Sequence, residues 1–330
     1  MPTAVEPAAT IDRARACDAA HCAPLFTIFT PTYNRAHTLH RCFESLSAQT
    51  LRDFEWIVVD DGSTDGTAQL VEGWIKAATF PIRYLRQDHG GKHIAHNLAV
   101  REARGYFFAC LDSDDGLAPN SLERLAYYWQ TIPESEREFF SGVDGLCSDV
   151  NGKIVGIKFP RDIFDTNLRE MKYVHRLYGE KWGMGRTDIM RRYLFPEIAR
   201  GGYLPEGIIW LDIAKKYRSR AVNEIVRIYY VDNNLPGVTA DKKRDLDAHA
   251  IGRWHFYIWL LNNDLEYFSK WPLPFVKAAV MLPIVATTSR NTVCRTFFSL
   301  RSVGSKALLL SCLPISLSVY VYDRIKRLSR

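Results

Sequence analysis

Short apolar, β-branched runs alternate with stretches whose hydrophobic residues recur every three to four positions, from Leu25 to about Gln130. Leu25–Thr30, Phe54–Val59, Ile82–Leu85 and Tyr106–Leu111 have the length and near-continuous apolar character of strands buried on both faces. Between them, Arg35–Gln49, Thr67–Ala77 and Ile94–Arg104 carry the helical period, the first with Leu39, Cys42, Phe43 and Leu46 on one side. This alternation predicts an α/β fold with a mainly parallel central sheet and helices on both faces. Each polar cluster of interest follows a strand: Thr32-Tyr33-Asn34, then Asp60-Asp61, then Asp112 to Asp115. In a parallel sheet such clusters converge beyond the carboxyl ends of the strands, where ligands bind.

Past residue 120 the alternation loosens. A helix is expected over Ser121–Gln130, strands near Gly145–Cys147 and Ile154–Phe159, and a helix over Ile208–Arg218. With no internal repeat or low-complexity linker, the simplest reading is one domain over 25–262 and a helical C-terminal appendage over 263–330. Residues 1–24 are Ala-rich and charged without an apolar run long enough for a signal peptide, and read as a flexible leader. Ala307 to Tyr322 carries no charge and is followed by Arg324, Lys326, Arg327 and Arg330. That stretch is shorter than the ~20 residues that span a bilayer, but suits an interfacial anchor on an anionic leaflet, which Phe275–Thr288 would join. Two buried core helices are the alternative, and both readings stay open here.

The 330 residues are 47% hydrophobic and 24% charged, a balance that excludes disordered and fibrous classes. Seven cysteines, odd in number and without a CxxC pair, suggest neither a disulfide framework nor a zinc site, and favour a cytoplasmic chain. The net charge of +6 gathers toward the C-terminus, behind the apolar stretch rather than in an aromatic-studded groove, which argues against nucleic acid as a partner.

Several ligand signatures are missing. No GxGxxG follows the first strand, and Gly90-Gly91-Lys92-His93 has neither the spacing nor the hydroxyl residue of a P-loop. Asp112-Ser113-Asp114 starts like an EF-hand loop, but Leu117 stands where that loop turns on glycine. What remains is a pair of carboxylates at the end of an apolar strand, whose repulsion a hard cation, Mg²⁺ or Mn²⁺, would relieve. Such an ion usually arrives with phosphates and neutralises a leaving diphosphate. A solvated acidic turn before the Ser121 helix is the plainer alternative.

Phe29–Arg35, Val58–Thr67, Gly90–Asn97 and Leu111–Asp115 stand in an order and spacing that resemble the family 2 glycosyltransferases of the GT-A fold, over residues 25–232. The resemblance implies an inverting transfer of sugar from a nucleotide-sugar, with UDP as the expected nucleotide. It divides the domain into a nucleotide-binding part, 25–116, and an acceptor part, 117–262. Thr30, Pro31, Thr32 and Tyr33 fall where the family cradles the base, and Tyr33 offers a flat face for stacking. Asp61 matches the carboxylate that accepts the base N–H, Lys92 and Asn97 face the nucleotide, Asp112 contacts the ribose or sugar, and Asp114, with Asp112, holds the metal. Asp115 assists there or caps the next helix.

The family's catalytic base lies in an acidic pair ahead of an apolar helix. Here Pro205-Glu206-Gly207 precedes Ile208, so Glu206 is the expected base, with Asp212 one turn on as the alternative. The segment Glu180–Arg186 is assigned either to the acceptor side or to structure. Ala250-Ile251-Gly252-Arg253-Trp254 lacks the glutamine of the processive synthases, which favours transfer of a single sugar. The resulting expectation is an enzyme at the inner face of the cell membrane, acting on a saccharide or lipid-linked acceptor in surface polysaccharide or glycoconjugate synthesis. A sugar nucleotidyltransferase and a non-enzymatic sugar- or nucleotide-binding protein are the competing readings.

Overall fold

The computed structural model describes residues 23–198, 202–230, 249–289 and 291–328, so all but the last two residues of the expected leader lie outside the described residues. The chain forms two compact units. The first comprises Met1–Lys172, Arg176–Leu194 and Asp212–Val231, and the second Tyr173–His175, Phe195–Leu211 and Asp232–Arg330.

The first unit is built on one mixed sheet. Strands β1 (Phe26–Thr32), β2 (Phe54–Asp60), β3 (Ile82–Arg86) and β4 (Phe107–Cys110) run parallel in the order β3-β2-β1-β4. Helices α1 (His40–Ser47), α2 (Thr67–Ala77) and α3 (Lys92–Glu102) form the crossovers between them. Period-two alternation sends Phe26, Ile28, Trp56, Val58, Phe107 and Ala109 into a core shared with Leu39, just before α1, and with Cys42 and Leu46 of α1. On the opposite face Phe29 and Phe108 meet the His96 ring of α3, at centroid distances of 5.9 and 5.3 Å. Both faces are therefore covered, and every residue of β2 is buried.

The remaining strands are shorter or more irregular. They are β5 (Gly116–Leu117), β6 (Phe140–Ser148), β7 (Ile163–Thr166), β8 (Lys181–Arg186) and β9 (Arg218–Ile228). Helix α4 (Ser121–Gln130) follows β5, α5 (Leu168–Tyr173) follows β7, and α6 (Thr187–Arg192) follows β8. The sheet continues from β4 through β8, β6 and β9 to β5, with β7 on β9. Antiparallel pairing enters at β4–β8, while β6 and β9 remain parallel.

The strand expected over Ile154–Phe159 does not form. Gly152 and Gly156 take φ values of +79° and +111°, which break an extended run, and in place of a continuous ladder the segment makes the isolated bridges Ser148–Ile154 and Gly156–Gly179 and scattered hydrogen bonds to Cys147, Tyr178 and Asn223. The expected helix over Ile208–Arg218 is α7 (Gly207–Ile213), and its last part gives way to β9 at Arg218.

In the second unit Phe195, Leu204, Ile208 and Ile209 pack with Phe256 and Trp259. Those two aromatics lie on α8 (Ala250–Asn263), which is followed by α9 (Leu273–Thr288), α10 (Val293–Ser299) and α11 (Val303–Leu328). Trp254 Nε1 donates to Thr296 Oγ1 at 2.9 Å, and Asn262 Nδ2 to the carbonyl of Ser299 at 2.9 Å. The boundary expected at 262 thus falls inside the second unit, because α8 is fastened to the helices that follow it. The two apolar C-terminal segments also differ. Phe275, Ala278, Ala279 and Leu282 of α9 are fully buried, whereas α11 leaves Leu310, Ile315 and Leu317 exposed.

Candidate functional site

The carboxyl ends of β1, β2 and β4 bring the predicted polar clusters together within the first unit. At the end of β1, Thr30 is buried and its hydroxyl accepts from Trp56 Nε1 at 2.9 Å, while Pro31 stays in register opposite Val59. Thr32 is 2% exposed, and its Oγ1 has no hydrogen-bond partner among the described residues. Tyr33 turns outward, and Asn34 follows at φ +52°, a conformation that asparagine tolerates. The Asn34 Oδ1 accepts from Thr64 N at 2.8 Å, and its own N–H donates to Ser63 Oγ at 2.9 Å, tying the β1 turn to the β2 turn.

The two acids after β2 have different surroundings. Asp60 is fully buried, accepts from Ser63 N at 2.7 Å, and receives the Tyr84 hydroxyl; burial and this carboxylate together push the Tyr84 phenol well above its ordinary pKa. Asp61 instead gathers the loop 87–91. Its Oδ1 accepts from Gln87 Nε2 and Gly90 N, both at 2.7 Å, and its Oδ2 from Gly91 N at 2.9 Å. His89 Nδ1 lies 3.0 Å from the same Oδ2, and the His89 ring stacks on Tyr33 at 4.4 Å. Gly91 at φ +92° delivers the chain into α3, whose first residue is Lys92. Asn97 is fully buried further along that helix.

The acidic turn after β4 is surrounded by cations of two kinds. Lys92 Nζ reaches Asp112 Oδ1 at 2.5 Å, and Arg35 approaches Asp114 Oδ2 at 3.8 Å; both carboxylates are about one-third exposed, at 35% and 39%. Arg227 of β9, only 6% exposed, lies behind the turn with Glu180 at 2.9 Å, Asp115 at 3.5 Å and Asp112 at 3.6 Å. Asp115 is 1% exposed, and burial, reinforced by Asp112 and Asp114 against the pull of Arg227, raises its pKa to about 7. Backbone contacts fix the turn as well. Asp115 N donates to the Asp112 carbonyl at 3.0 Å, and the Cys42 thiol donates to that carbonyl at 3.2 Å. Burial and the three carboxylates push the Cys42 thiol far up, so it stays protonated.

A divalent ion fits this donor set. Asp112 and Asp114 are hard oxygen donors on one turn, open to solvent, and balanced in front by long side chains that can swing away. Among the described residues no group of three or more His, Cys, Asp or Glu side chains is arranged to hold a metal, so the protein would offer two carboxylates and leave the other positions to water and phosphate.

The two base candidates belong to different units. Glu206 is part of the second and is partly buried, with its carbonyl accepting from Ile209 N at 3.2 Å at the start of α7. Asp212 is part of the first and pairs with Lys215 at 2.7 Å. The Glu180–Arg186 segment is largely β8, where Trp182 is buried in the core and donates to the Cys110 carbonyl at 2.5 Å.

Sequence reasoning missed Arg227 and His89. Arg227 lies far along the chain in an alternating strand with nothing local to mark it. His89 could have been found, as an aromatic, hydrogen-bonding side chain in the loop just before Gly90-Gly91-Lys92.

Residues 27–136 match the model of Glycosyl transferase family 2. Over 101 residues the chain is 41% identical to a chondroitin synthase of Escherichia coli, covering 30% of this chain and 14% of that protein. A glycosyltransferase of Rickettsia felis is 27% identical over 265 residues, covering 77% of this chain and 40% of the other. This chain therefore spans well under half of either relative. The crystal structure of S. aureus TarS 1–349 in complex with UDP-GlcNAc shares the fold, with a TM-score of 0.54 at 21% identity, over 88% of this chain and 80% of that one.

Proposed function

We propose, from the match of residues 27–136 to the model of Glycosyl transferase family 2, that the protein is an inverting glycosyltransferase that moves a single sugar from a UDP-sugar to a saccharide or lipid-linked acceptor. The observation that carries this reading is the convergence, at one edge of the parallel strands, of the aromatic face of Tyr33, the carboxylate of Asp61 and the Lys92–Asp112 pair. That edge offers a flat surface for a base, an acceptor for a ring N–H, a cation for phosphate and acids for a metal, the parts a nucleotide-sugar requires. The relative named a chondroitin synthase makes polysaccharide synthesis the natural context, and TarS, with the same fold, holds UDP-GlcNAc.

Asp114, with Asp112, would hold Mg²⁺ or Mn²⁺, which when bound supplies neutralisation of the charge developing on the departing diphosphate. Lys92 would exchange Asp112 for a phosphate oxygen, as a point charge on a flexible stem. Thr30, Pro31 and Thr32 would line the base, the lone Thr32 hydroxyl being available to it, and Asn97 would brace α3 beneath the nucleotide. Glu206 would take the proton of the attacking hydroxyl, with Asp212 as the alternative. The apolar α11 supports contact with the cytoplasmic face of a membrane, where lipid-linked acceptors are found.

The test is turnover and binding measured in parallel across UDP-sugars with Mn²⁺. Asp114→Ala should lose transfer and metal-dependent UDP binding while melting like wild type. Glu206→Gln should keep UDP binding and lose turnover by ~10²- to 10⁴-fold. Full activity in excess chelator would refute the metal assignment. Normal transfer by Glu206→Gln alongside an inactive Asp212→Asn would move the base to Asp212.

A further inference from the structure

We infer that His89 lies where a nucleobase would sit, and that an incoming uridine nucleotide must displace it, so that His89 sets donor affinity. This rests on the reading of Tyr33 and Asp61 as base-binding residues. The His89 ring stacks on Tyr33 with centroids 4.4 Å apart and planes 34° from parallel. Its Nδ1 lies 3.2 Å from the Asp61 carbonyl oxygen and 3.0 Å from Asp61 Oδ2. A carbonyl only accepts, so Nδ1 carries the hydrogen. One flat ring thus satisfies both groups assigned to the base, presenting a face to the tyrosine and a ring N–H to the aspartate. Uracil would present the same two features.

The Asp61 carboxylate has little capacity to spare, since two oxygens already receive Gln87 Nε2, Gly90 N and Gly91 N in addition to the nearby imidazole. A base N–H can join only if a present donor leaves. The two backbone amides are fixed by the turn into α3 and cannot leave without unwinding it. His89 can leave by rotating its side chain, which is 47% exposed, and Tyr33 beneath it is 45% exposed. Because Asp61 itself is only 5% exposed, the exchange trades one ring N–H for another at a nearly water-free acceptor. The ligand therefore gains less than it would at an empty site, by roughly three- to tenfold in affinity.

Calorimetric titration of UDP, with Mn²⁺ present throughout, into the full chain, as wild type, His89→Ala and Gln87→Ala, tests this. Gln87 donates to the same carboxylate but is no part of the Tyr33 stack, so it controls for a loosened loop. His89→Ala should bind UDP roughly three- to tenfold more tightly than wild type, and Gln87→Ala should not. If wild type binds UDP and His89→Ala binds it equally or more weakly, His89 is not a placeholder, and weaker binding would make it a second stacking surface. Equal tightening in both variants would also overturn the inference, by assigning the effect to loop release. If wild type binds no UDP at all, the nucleotide reading itself fails, and this inference with it.

Discussion

At the residue scale, His96 shows how a side chain on the helix that begins at Lys92 shapes stability from within the core. Its ring is 2% exposed between Phe29 and Phe108, and burial, with Lys92 nearby, lowers its pKa to about 3. Above about pH 6.5 the ring is neutral in folded and unfolded chains alike, and it adds nothing to the pH dependence of folding. Below that pH the unfolded chain takes up a proton that the folded protein refuses, so stability falls as pH falls from about 6.5 toward 3. His96→Leu should flatten this decline. Urea midpoints at pH 7.5 and pH 5 check it, and a wild-type loss between those values that the variant fully retains would contradict it. The turn residues Tyr33, Asp61, Asp112 and Asp114 were legible in the sequence because each sits just past a strand whose apolar run is unmistakable. The working partners of Asp61 were not, since hydrogen bonds from Gly90, Gly91 and His89 depend on how a loop folds back, and no local periodicity encodes that.

At the scale of elements, the strands before residue 111 could be read from pattern because parallel strands covered on both faces must be apolar throughout. β8 and β9 could not. β8 carries Gly183 and Gly185, where a Cβ at Gly183 would lie 2.1 Å from the Val143 carbonyl, so close backbone approach replaces the hydrophobic signal. β9 contains Arg220, Glu224 and Arg227, which pair within the protein, after an exposed Arg218 at its start. Arg220 makes a two-pronged bond to Asp165, and Arg124 meets Glu224 in the same way. Arg227 is the member that bears on the site. Arg227→Met would leave Asp115, 1% exposed, as a buried carboxylate without its counter-charge, a change that typically costs ~3–5 kcal/mol. The loss should shrink at acid pH, where Asp115 takes a proton and the penalty disappears. Denaturation at pH 8 and pH 5 measures both. A variant as stable as wild type at pH 8 would show that Arg227 does not neutralise the turn.

For the molecule as a whole, the open question in the sequence was whether the apolar C-terminal stretches are core or anchor, and the two helices differ in what they bury. α9 buries eight of its sixteen residues in the second unit, so much of its apolarity is that of a core helix, although Leu273 at its start is exposed. α11 is turned the other way: Ser305, Leu309, Cys312 and Ser316 face inward, whereas Leu310, Ile315, Leu317 and Tyr322 are 52%, 53%, 64% and 67% exposed. That outward apolar face suits a lipid surface better than water. The twenty residues Val303–Tyr322 are long and apolar enough to cross a bilayer by length and composition, more than the uncharged stretch alone suggested, because the helix begins before Lys306. The sequence then continues through Arg324, Lys326 and Arg327, each able to add about 1 kcal/mol of attraction to an anionic leaflet. Full-length protein should therefore float with vesicles containing phosphatidylserine, and less with neutral ones. Replacing Leu310, Ile315 and Leu317 together by serine removes outward apolar surface only, so the melting temperature should hold while vesicle affinity falls at least about a hundredfold. A wild-type chain that stays in solution with both kinds of vesicle would refute membrane contact, and a triple variant that unfolds would show that this face is packed against protein.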